Sequence, residues 1–287
     1  MKVVAKDSSV FEGLLSRTDG RRRDALPKLS ASTKGDLGQF MTPAPIAEFM
    51  ASLFPVSPLA EIRLLDPGAG VGSLLAAFVA RVCRRPSKVR RISIAAYEID
   101  GNLCRLLRET LADCRASAAE REVAVDWEVR SVDFVSEGAG LIDGNLFESG
   151  ESFTHVITNP PYRKVATDSA HRLALRRVGI EVTNLYSAFV ALAVRLLEPR
   201  GELVAITPRS FCNGPYFQPF RNLLLSRCSL RRVHLFQSRD AAFRDDSVLQ
   251  ENIIYAGSRS PQHATVRISS SFGPSFSRTV SRMVPFS

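Results

Sequence analysis

Four consecutive residues, Asn159-Pro160-Pro161-Tyr162, carry the clearest chemistry in this chain. They follow an apolar run, residues 153–158, which predicts a buried strand. Two prolines cannot continue a strand ladder, so the chain must leave the sheet at Asn159. Open α/β sheets bind ligands at this carboxyl edge, where an amide, exposed carbonyls and an aromatic ring would meet. These groups can accept hydrogen bonds from an amino group and stack on a flat base, as methylation of an exocyclic nitrogen requires.

A glycine-rich turn, residues 68–72, follows a second predicted strand that ends at Asp66. Glycines let the backbone come close to a ligand, and the helix that begins there favours a negative group such as a carboxylate. About thirty residues later, another strand ends in Glu98, whose carboxylate can bond ribose hydroxyls. A third is followed by Asp133 and Phe134, suited to an adenine amino group and ring. Such a turn also occurs in dinucleotide binders or as a plain tight turn, but this order of acidic residues favours an adenosine-containing cofactor.

Alternating strands and helices must position these residues. Apolar periodicity and capping signals predict strands at 62–66, 92–98, 123–129, 153–158, 202–207, 233–236 and 252–255, and helices at 43–54, 71–83, 102–115, 184–197 and 216–227. The fold class predicted from this alternation is α/β, with a mostly parallel sheet and helices on both faces.

Composition narrows the possible partners and the compartment. The 287 residues carry a net charge of +9, which favours a polyanion such as nucleic acid over an uncharged substrate; a basic enzyme that binds no polyanion is the alternative. The five cysteines form no Cys-x-x-Cys pair and the four histidines are isolated, which argues against disulfides and a metal site and for a reducing cytoplasm. No apolar stretch reaches the ~18–20 residues that span a bilayer, and no secretion signal is evident.

Three regions are predicted along the chain. Residues 1–35 are polar and basic and read as a flexible N-terminal arm, with phosphate contact as the alternative. Residues 36–257, which contain the sites described above, are predicted to form the catalytic domain. Residues 258–287 read as a tail rich in serine and arginine, with no second folded domain.

Several short motifs make a resemblance specific. They are Gly38-Gln39-Phe40-Met41-Thr42-Pro43, Asn159-Pro160-Pro161-Tyr162, Asn184-Leu185-Tyr186, Gly201-Glu202-Leu203, Thr207-Pro208-Arg209-Ser210-Phe211 and Val248-Leu249-Gln250-Glu251-Asn252. Together they resemble S-adenosylmethionine-dependent DNA methyltransferases that modify adenine N6, in particular the modification methylases of type II restriction systems in the BsuBI/PstI and Eco57I-like group. The resemblance implies a Rossmann-like class I methyltransferase fold, S-adenosyl-L-methionine as cofactor and double-stranded DNA as substrate.

The resemblance also implies roles for individual residues. Those of the cofactor site are Thr42 and Pro43 near the methionine end, Asp66, Gly68 and Gly70 around the methionine moiety, Glu98 at the ribose, Asp133 at the adenine amino group, and Ile99, Phe134 and Phe189 around the adenine ring. Those of the catalytic motif are Asn159, Pro160, Pro161 and Tyr162, with Tyr162 stacking on a flipped-out target base. Phe243 resembles a second aromatic residue that closes over that base, and Phe236 is a nearby competitor for this role. Phe189 sits in an apolar helix, so plain core packing is its alternative.

Residues 163–182 follow the catalytic motif and contain five basic side chains, so they are expected either to touch DNA phosphates or to form an ordinary solvated helix and loop. The family usually carries a target-recognition domain beyond the catalytic one, and that domain is expected to be missing or truncated here. A separate specificity subunit or a cognate endonuclease stays open as a partner. So do two other functions: a cofactor-binding subunit that needs a partner, and a methyltransferase acting on a protein glutamine or an RNA guanine.

Overall fold

A single nine-stranded sheet organises the chain. The computed structural model describes residues 2–28, 41–144, 151–166, 168–236, 251–273, 276 and 279–286. The strands of this part are β1 (Glu61–Asp66), β2 (Arg91–Tyr97), β3 (Ala124–Arg130), β4 (Phe153–Thr158), β5 (Leu197–Pro208), β6 (Ser229–Phe236), β7 (Asn252–Ser258), β8 (Thr265–Ser271) and β9 (Val280–Pro285). Its α-helices are α1 (Lys2–Ala25), α2 (Ala44–Ser52), α3 (Ser73–Cys83), α4 (Gly101–Ala119), α5 (Phe134–Gly144), α6 (Ala170–Arg177), α7 (Leu185–Leu196) and α8 (Gln218–Arg227).

The strand order places β1 and β4 side by side near the middle of the sheet. The order is β3-β2-β1-β4-β5-β7-β6-β8-β9, and β1 to β5 pair in parallel, whereas β7 is antiparallel to both neighbours. From β1 the chain proceeds to β2 on one side, while β4 lies on the other, so the order of strands reverses between β1 and β4. This reversal leaves a crevice at the carboxyl ends of the two strands, where α/β proteins bind ligands.

Alternating side chains of the strands pack into two hydrophobic cores, one on each face of the sheet. In β1, Leu64 packs into the core under α1 to α4, and the next residue, Leu65, packs into the core under α5 to α8. In β4, Ile157 and Val156 divide in the same way. Successive strand residues point to opposite faces, so a sheet covered on both sides needs apolar residues in consecutive positions. The prediction of a mostly parallel sheet between two helical layers is confirmed.

The first helix corrects the prediction of a flexible arm over residues 1–35, which is wrong for residues 2–25. Phe11, Leu14 and Leu15 are buried in the core beneath α3 and α4. On the adjacent surface, the Arg21 guanidinium lies 2.8 Å from the Asp113 carboxylate of α4. The apolar stripe at i, i+3 and i+4 is narrow, and the charged residues around it conceal it in the sequence.

The predicted tail over residues 258–287 is also corrected, because β8 and β9 extend the sheet there. The serines of β8 are not a sign of solvent exposure. Ser269 and Ser271 are buried and lie 2.9 and 3.0 Å from the two ring nitrogens of His234 on β6. Polar residues with matched partners can thus line a buried strand. Within the described residues, the helices are all too short or too polar to cross a membrane.

Candidate functional site

A cavity opens at the carboxyl ends of β1 to β4, where the sequence predicts the site. It encloses about 1000 Å³, its open mouth included, which is in the range of small-molecule sites. The predicted site residues that line it are Thr42, Gly68, Gly70, Glu98, Ile99, Asp133, Phe134, Asn159, Pro161 and Phe189. The structure therefore brings together ten predicted residues from six separate stretches of sequence.

The glycine-rich turn lets the backbone form one wall of the cavity. A Cβ on Gly68 would lie 3.7 Å from the Asn159 carbonyl oxygen and from the Phe189 ring, so the turn touches the catalytic motif directly. Gly72, the N-cap of α3, has φ +87°, and a Cβ there would lie 2.9 Å from Leu107 and 3.1 Å from Thr110 of α4. Only glycine meets both demands, because the left-handed region and the close helix exclude a side chain.

Glu98, at the end of β2, is a buried carboxylate that holds two loops together. Its Oε2 accepts the N–H of Gly70 at 3.0 Å, and its Oε1 accepts the N–H of Asp100 at 2.9 Å. Asp100 in turn caps α4. Burial raises the pKa of Glu98, and these two backbone bonds oppose the rise. Glu98 thus links the glycine-rich turn to the start of α4 at the cavity wall.

Asp66, the last residue of β1, lies beneath the turn and does not line the cavity. It is fully buried; its Oδ1 accepts the N–H of Gly68 at 3.3 Å, and its Oδ2 has no hydrogen-bond partner within the described residues. Burial raises the pKa of Asp66 to about 8, the Gly68 bond opposes the rise, and the Glu98 carboxylate adds to it. The protein alone therefore holds this carboxyl neutral at pH 7.

Aromatic rings form another wall of the cavity. Phe134 begins α5, and its ring centroid lies 5.2 Å from that of Phe189 on α7 and 4.9 Å from that of Tyr97. Asp133 caps α5 by accepting the Ser136 N–H at 2.8 Å. Flat apolar walls beside a carboxylate acceptor suit a purine that carries an amino group.

The amide of Asn159 is held at both ends. Its Nδ2 donates to the Thr42 hydroxyl at 3.1 Å, and its Oδ1 accepts the Tyr162 hydroxyl at 2.9 Å. Thr42 lies two residues before the start of α2, so the segment before the glycine-rich turn orients the side chain of the catalytic motif. With its nitrogen directed to Thr42, the amide presents its oxygen as the acceptor end.

Four predicted site residues do not line the cavity: Pro43, Asp66, Pro160 and Tyr162. The half-buried Tyr162 packs edge-on against Tyr186 at a centroid distance of 6.3 Å, and burial raises its pKa. Phe243 lies outside the described residues. Its competitor Phe236 is buried in the core against His234, with centroids 5.2 Å apart, and so does not face this cavity.

Other lining residues carry no predicted role in the cofactor site. Met41 and Val132 adjoin predicted residues in sequence and could have been found by extending the motifs. Leu103, Arg163 and His171 also line the cavity. The sequence offers no signal for His171, because only the packing of α6 on α5 brings it there.

Comparison with known proteins agrees with this fold. Residues 85–243 match the Eco57I restriction-modification methylase family. Over 276 residues the chain is 43% identical to the type II methyltransferase M.BsuBI of Bacillus subtilis, covering 95% of this chain and 53% of that protein. It is 45% identical over 238 residues to the type II methyltransferase M.PstI of Providencia stuartii, covering 83% and 46%. The chain thus spans about half the length of these relatives.

Solved structures of low sequence identity share the fold. A protein from Listeria monocytogenes, assigned as a class I S-adenosylmethionine-dependent methyltransferase, superposes with a TM-score of 0.65 at 14% identity, covering 93% of this chain and 74% of that one. The predicted class I methyltransferase fold is confirmed, and S-adenosyl-L-methionine is the expected cofactor. Since the family match covers more than half of its residues, the chain belongs to the Eco57I restriction-modification methylase family.

Proposed function

We propose that this chain carries the catalytic part of a site-specific DNA methyltransferase that transfers a methyl group from S-adenosylmethionine to adenine N6 in a restriction-modification system. The observation that carries the amino-group chemistry is the orientation of Asn159, whose amide oxygen is presented beside the cofactor cavity while its nitrogen is held by Thr42. The set of short motifs in the sequence supports adenine N6 as the amino group. An amino group needs an acceptor at this place, and the amide oxygen supplies one.

The methionine end of the cavity suits the carboxylate of that moiety. Asp66, buried beneath the turn, would support this end by accepting the Gly68 N–H at its Oδ1. Gly68 and Gly70 expose the backbone at the start of a helix, which suits a carboxylate. Thr42 and Pro43 would flank this end.

The other predicted residues of the cavity suit the adenosine part of the cofactor. Glu98 would bond the ribose hydroxyls, and Asp133 would accept from the adenine amino group. Ile99, Phe134 and Phe189 would enclose the ring; Ile99 is 49% exposed and therefore available at the mouth of the cavity. Bound S-adenosylmethionine supplies the electrophilic methyl group.

The chain's own residues would activate the target nitrogen. The lone pair of an adenine amino group is delocalised into the ring, so the nitrogen is a weak nucleophile. The Asn159 Oδ1 and the Pro160 carbonyl would accept its two hydrogens and draw it toward a tetrahedral geometry, with the lone pair aimed into the cavity. Pro161 fixes the backbone that follows. Positioning and electrostatic stabilisation do this work, and no covalent enzyme intermediate is needed.

Target recognition would use aromatic and basic side chains. Tyr162 would stack on a flipped-out base, contributing roughly 1–3 kcal/mol against an unstacking cost of a few kcal/mol. Phe243 would close over the same base. The segment after the catalytic motif exposes Arg163, Lys164 and the last two residues of α6, Arg176 and Arg177, and these would contact DNA phosphates.

The test is a methyl-transfer assay on unmethylated genomic DNA with labelled S-adenosylmethionine, followed by digestion to nucleosides. We expect N6-methyladenine with the native chain and with Asn222→Ala, an exposed amide on α8, and none with Asn159→Ala. Cofactor affinity of Asn159→Ala should stay within about threefold of the native value, because the amide acts on the target in the transition state.

Other outcomes contradict parts of the proposal. Methylation of a protein glutamine or of RNA guanine, with none on DNA, would refute the DNA substrate. Methylated cytosine would refute the N6-adenine assignment. Cofactor binding without transfer, restored by adding a specificity subunit or the remaining half of a relative, would show that this chain is a partner-dependent subunit.

A further inference from the structure

The cofactor cavity contains a contact that the catalytic scheme does not use, between His171 and Asp133. His171 is the second residue of α6, which packs on α5. Its Nε2 lies 3.1 Å from Asp133 Oδ1, and both side chains line the cavity while remaining about one-third exposed. The helix that follows the catalytic motif is therefore joined to the residue that would read the adenine amino group.

The contact converges on one oxygen of Asp133. The same Oδ1 accepts the backbone N–H of Ser136 at 2.8 Å, so two donors from different elements fix the rotation of this carboxylate. Burial alone would raise the pKa of Asp133, but the bonds from His171 and Ser136 lower it. The bond to Asp133 raises the pKa of His171 against burial and the positive charge of Arg163. The lowered pKa of Asp133 and the raised pKa of His171 both favour an ionised Asp133 carboxylate, which accepts hydrogen bonds.

The bond to Asp133 defines what His171 acts on. Asp133 follows β3 and Asn159 follows β4, and β2 and β1 lie between these strands. His171 is bonded to Asp133, so it acts through the residue that would accept from the cofactor's adenine amino group.

We propose that His171 is a positioning residue that orients Asp133 so that the site selects a cofactor with a 6-amino purine over one with a 6-oxo purine. The proposal rests on the proposed function, in which Asp133 accepts from the cofactor's adenine amino group. A 6-oxo group would place its oxygen against the carboxylate. The fixed carboxylate penalises that approach, whereas a carboxylate free to rotate avoids it.

The test measures dissociation constants of S-adenosylhomocysteine and its 6-oxo analogue, S-inosylhomocysteine, by titration calorimetry. The native chain should prefer the adenosyl compound. His171→Ala should reduce that preference about tenfold, the effect of one charge-assisted hydrogen bond. His171→Gln should restore it, because the amide can donate in place of Nε2. His263→Ala, at an exposed position outside the cavity, is the matched control and should change nothing.

Two results overturn the proposal. Equal loss of both affinities in His171→Ala, with the preference kept, would show a purely structural role, and so would a glutamine variant that behaves like alanine. Asp133→Ala separates this failure from failure of the proposed cofactor site. If Asp133→Ala also keeps the preference, Asp133 does not read the purine, and the cofactor assignment fails together with the inference about His171.

Discussion

Replacing Asp66 by asparagine should stabilise the cofactor-free protein at neutral pH and remove part of its pH dependence. Asp66 is fully buried, and its pKa stands at about 8 against an ordinary 3.8. The folded chain therefore holds the carboxyl protonated at pH 7, where the unfolded chain ionises it. Stability from this group is fully present below pH 4 and is lost as the pH rises through about 8.

The magnitude follows from the two pKa values. At pH 7 the carboxyl ionises only in the unfolded chain, and pH 7 lies 3.2 pH units above the ordinary pKa of 3.8. This ionisation lowers the free energy of unfolding by about 4 kcal/mol, at 1.36 kcal/mol per pH unit. Asparagine does not titrate and keeps the acceptor for the Gly68 N–H, but its amide nitrogen would occupy the partnerless Oδ2 position at a cost of roughly 1–3 kcal/mol. We expect Asp66→Asn to be more stable than the native chain by about 1–3 kcal/mol at pH 7, and to lose this advantage at pH 5.

Urea unfolding between pH 5 and pH 8, without cofactor, measures the effect. The exposed Asp143→Asn is the control and should follow the native pH curve. Parallel curves for the native chain and Asp66→Asn would refute the reasoning, because the buried carboxyl would then not titrate with folding.

Three further changes test the frame around the site. Gly72→Ala should destabilise the fold by roughly 2–4 kcal/mol in urea unfolding, since its Cβ would lie 3.1 Å from Thr110 at φ +87°; an unchanged midpoint would contradict the close approach. Thr42→Val removes the acceptor for the Asn159 Nδ2 and should lower kcat about tenfold with little change in KM for the cofactor, and a change confined to KM would argue against an orienting role. Arg130→Met leaves the carboxylates of three glutamates near one another without their shared guanidinium and should cost about 2 kcal/mol in urea unfolding at pH 7; an unchanged midpoint would refute a stabilising role for the guanidinium.

Strands β1, β2, β4, β5 and β7 could be predicted because they are largely buried on both sides and carry apolar runs. The missed helices illustrate the limits of such patterns. Helix α5 contains three glycines, which lower helix propensity, and its cap, Asp133, had already been assigned a ligand role. Helix α1 stays folded because a few apolar residues pack on α3 and α4, which is a tertiary effect that local propensity does not record.

The candidate site could be predicted where chemistry and strand ends coincide. Glu98 and Asn159 each follow a buried strand, so their place at the carboxyl edge follows from the order of elements. The partners of these residues could not be predicted in the same way. Thr42 holds the Asn159 amide, and His171 holds Asp133. Both contacts depend on distances between elements that are not adjacent in the sequence.

The bond between Thr42 and Asn159 joins residues 117 positions apart, and the neighbouring pair of β1 and β4 aligns Leu64 with His155. Contacts between such distant segments close only after a large entropic cost has been met, and parallel pairings are slow to form. The amide should therefore acquire its orientation late in folding, after β1 to β4 and the segment before α2 have assembled. A refolding chain would then recover its helices and its cores before it recovers a competent catalytic edge.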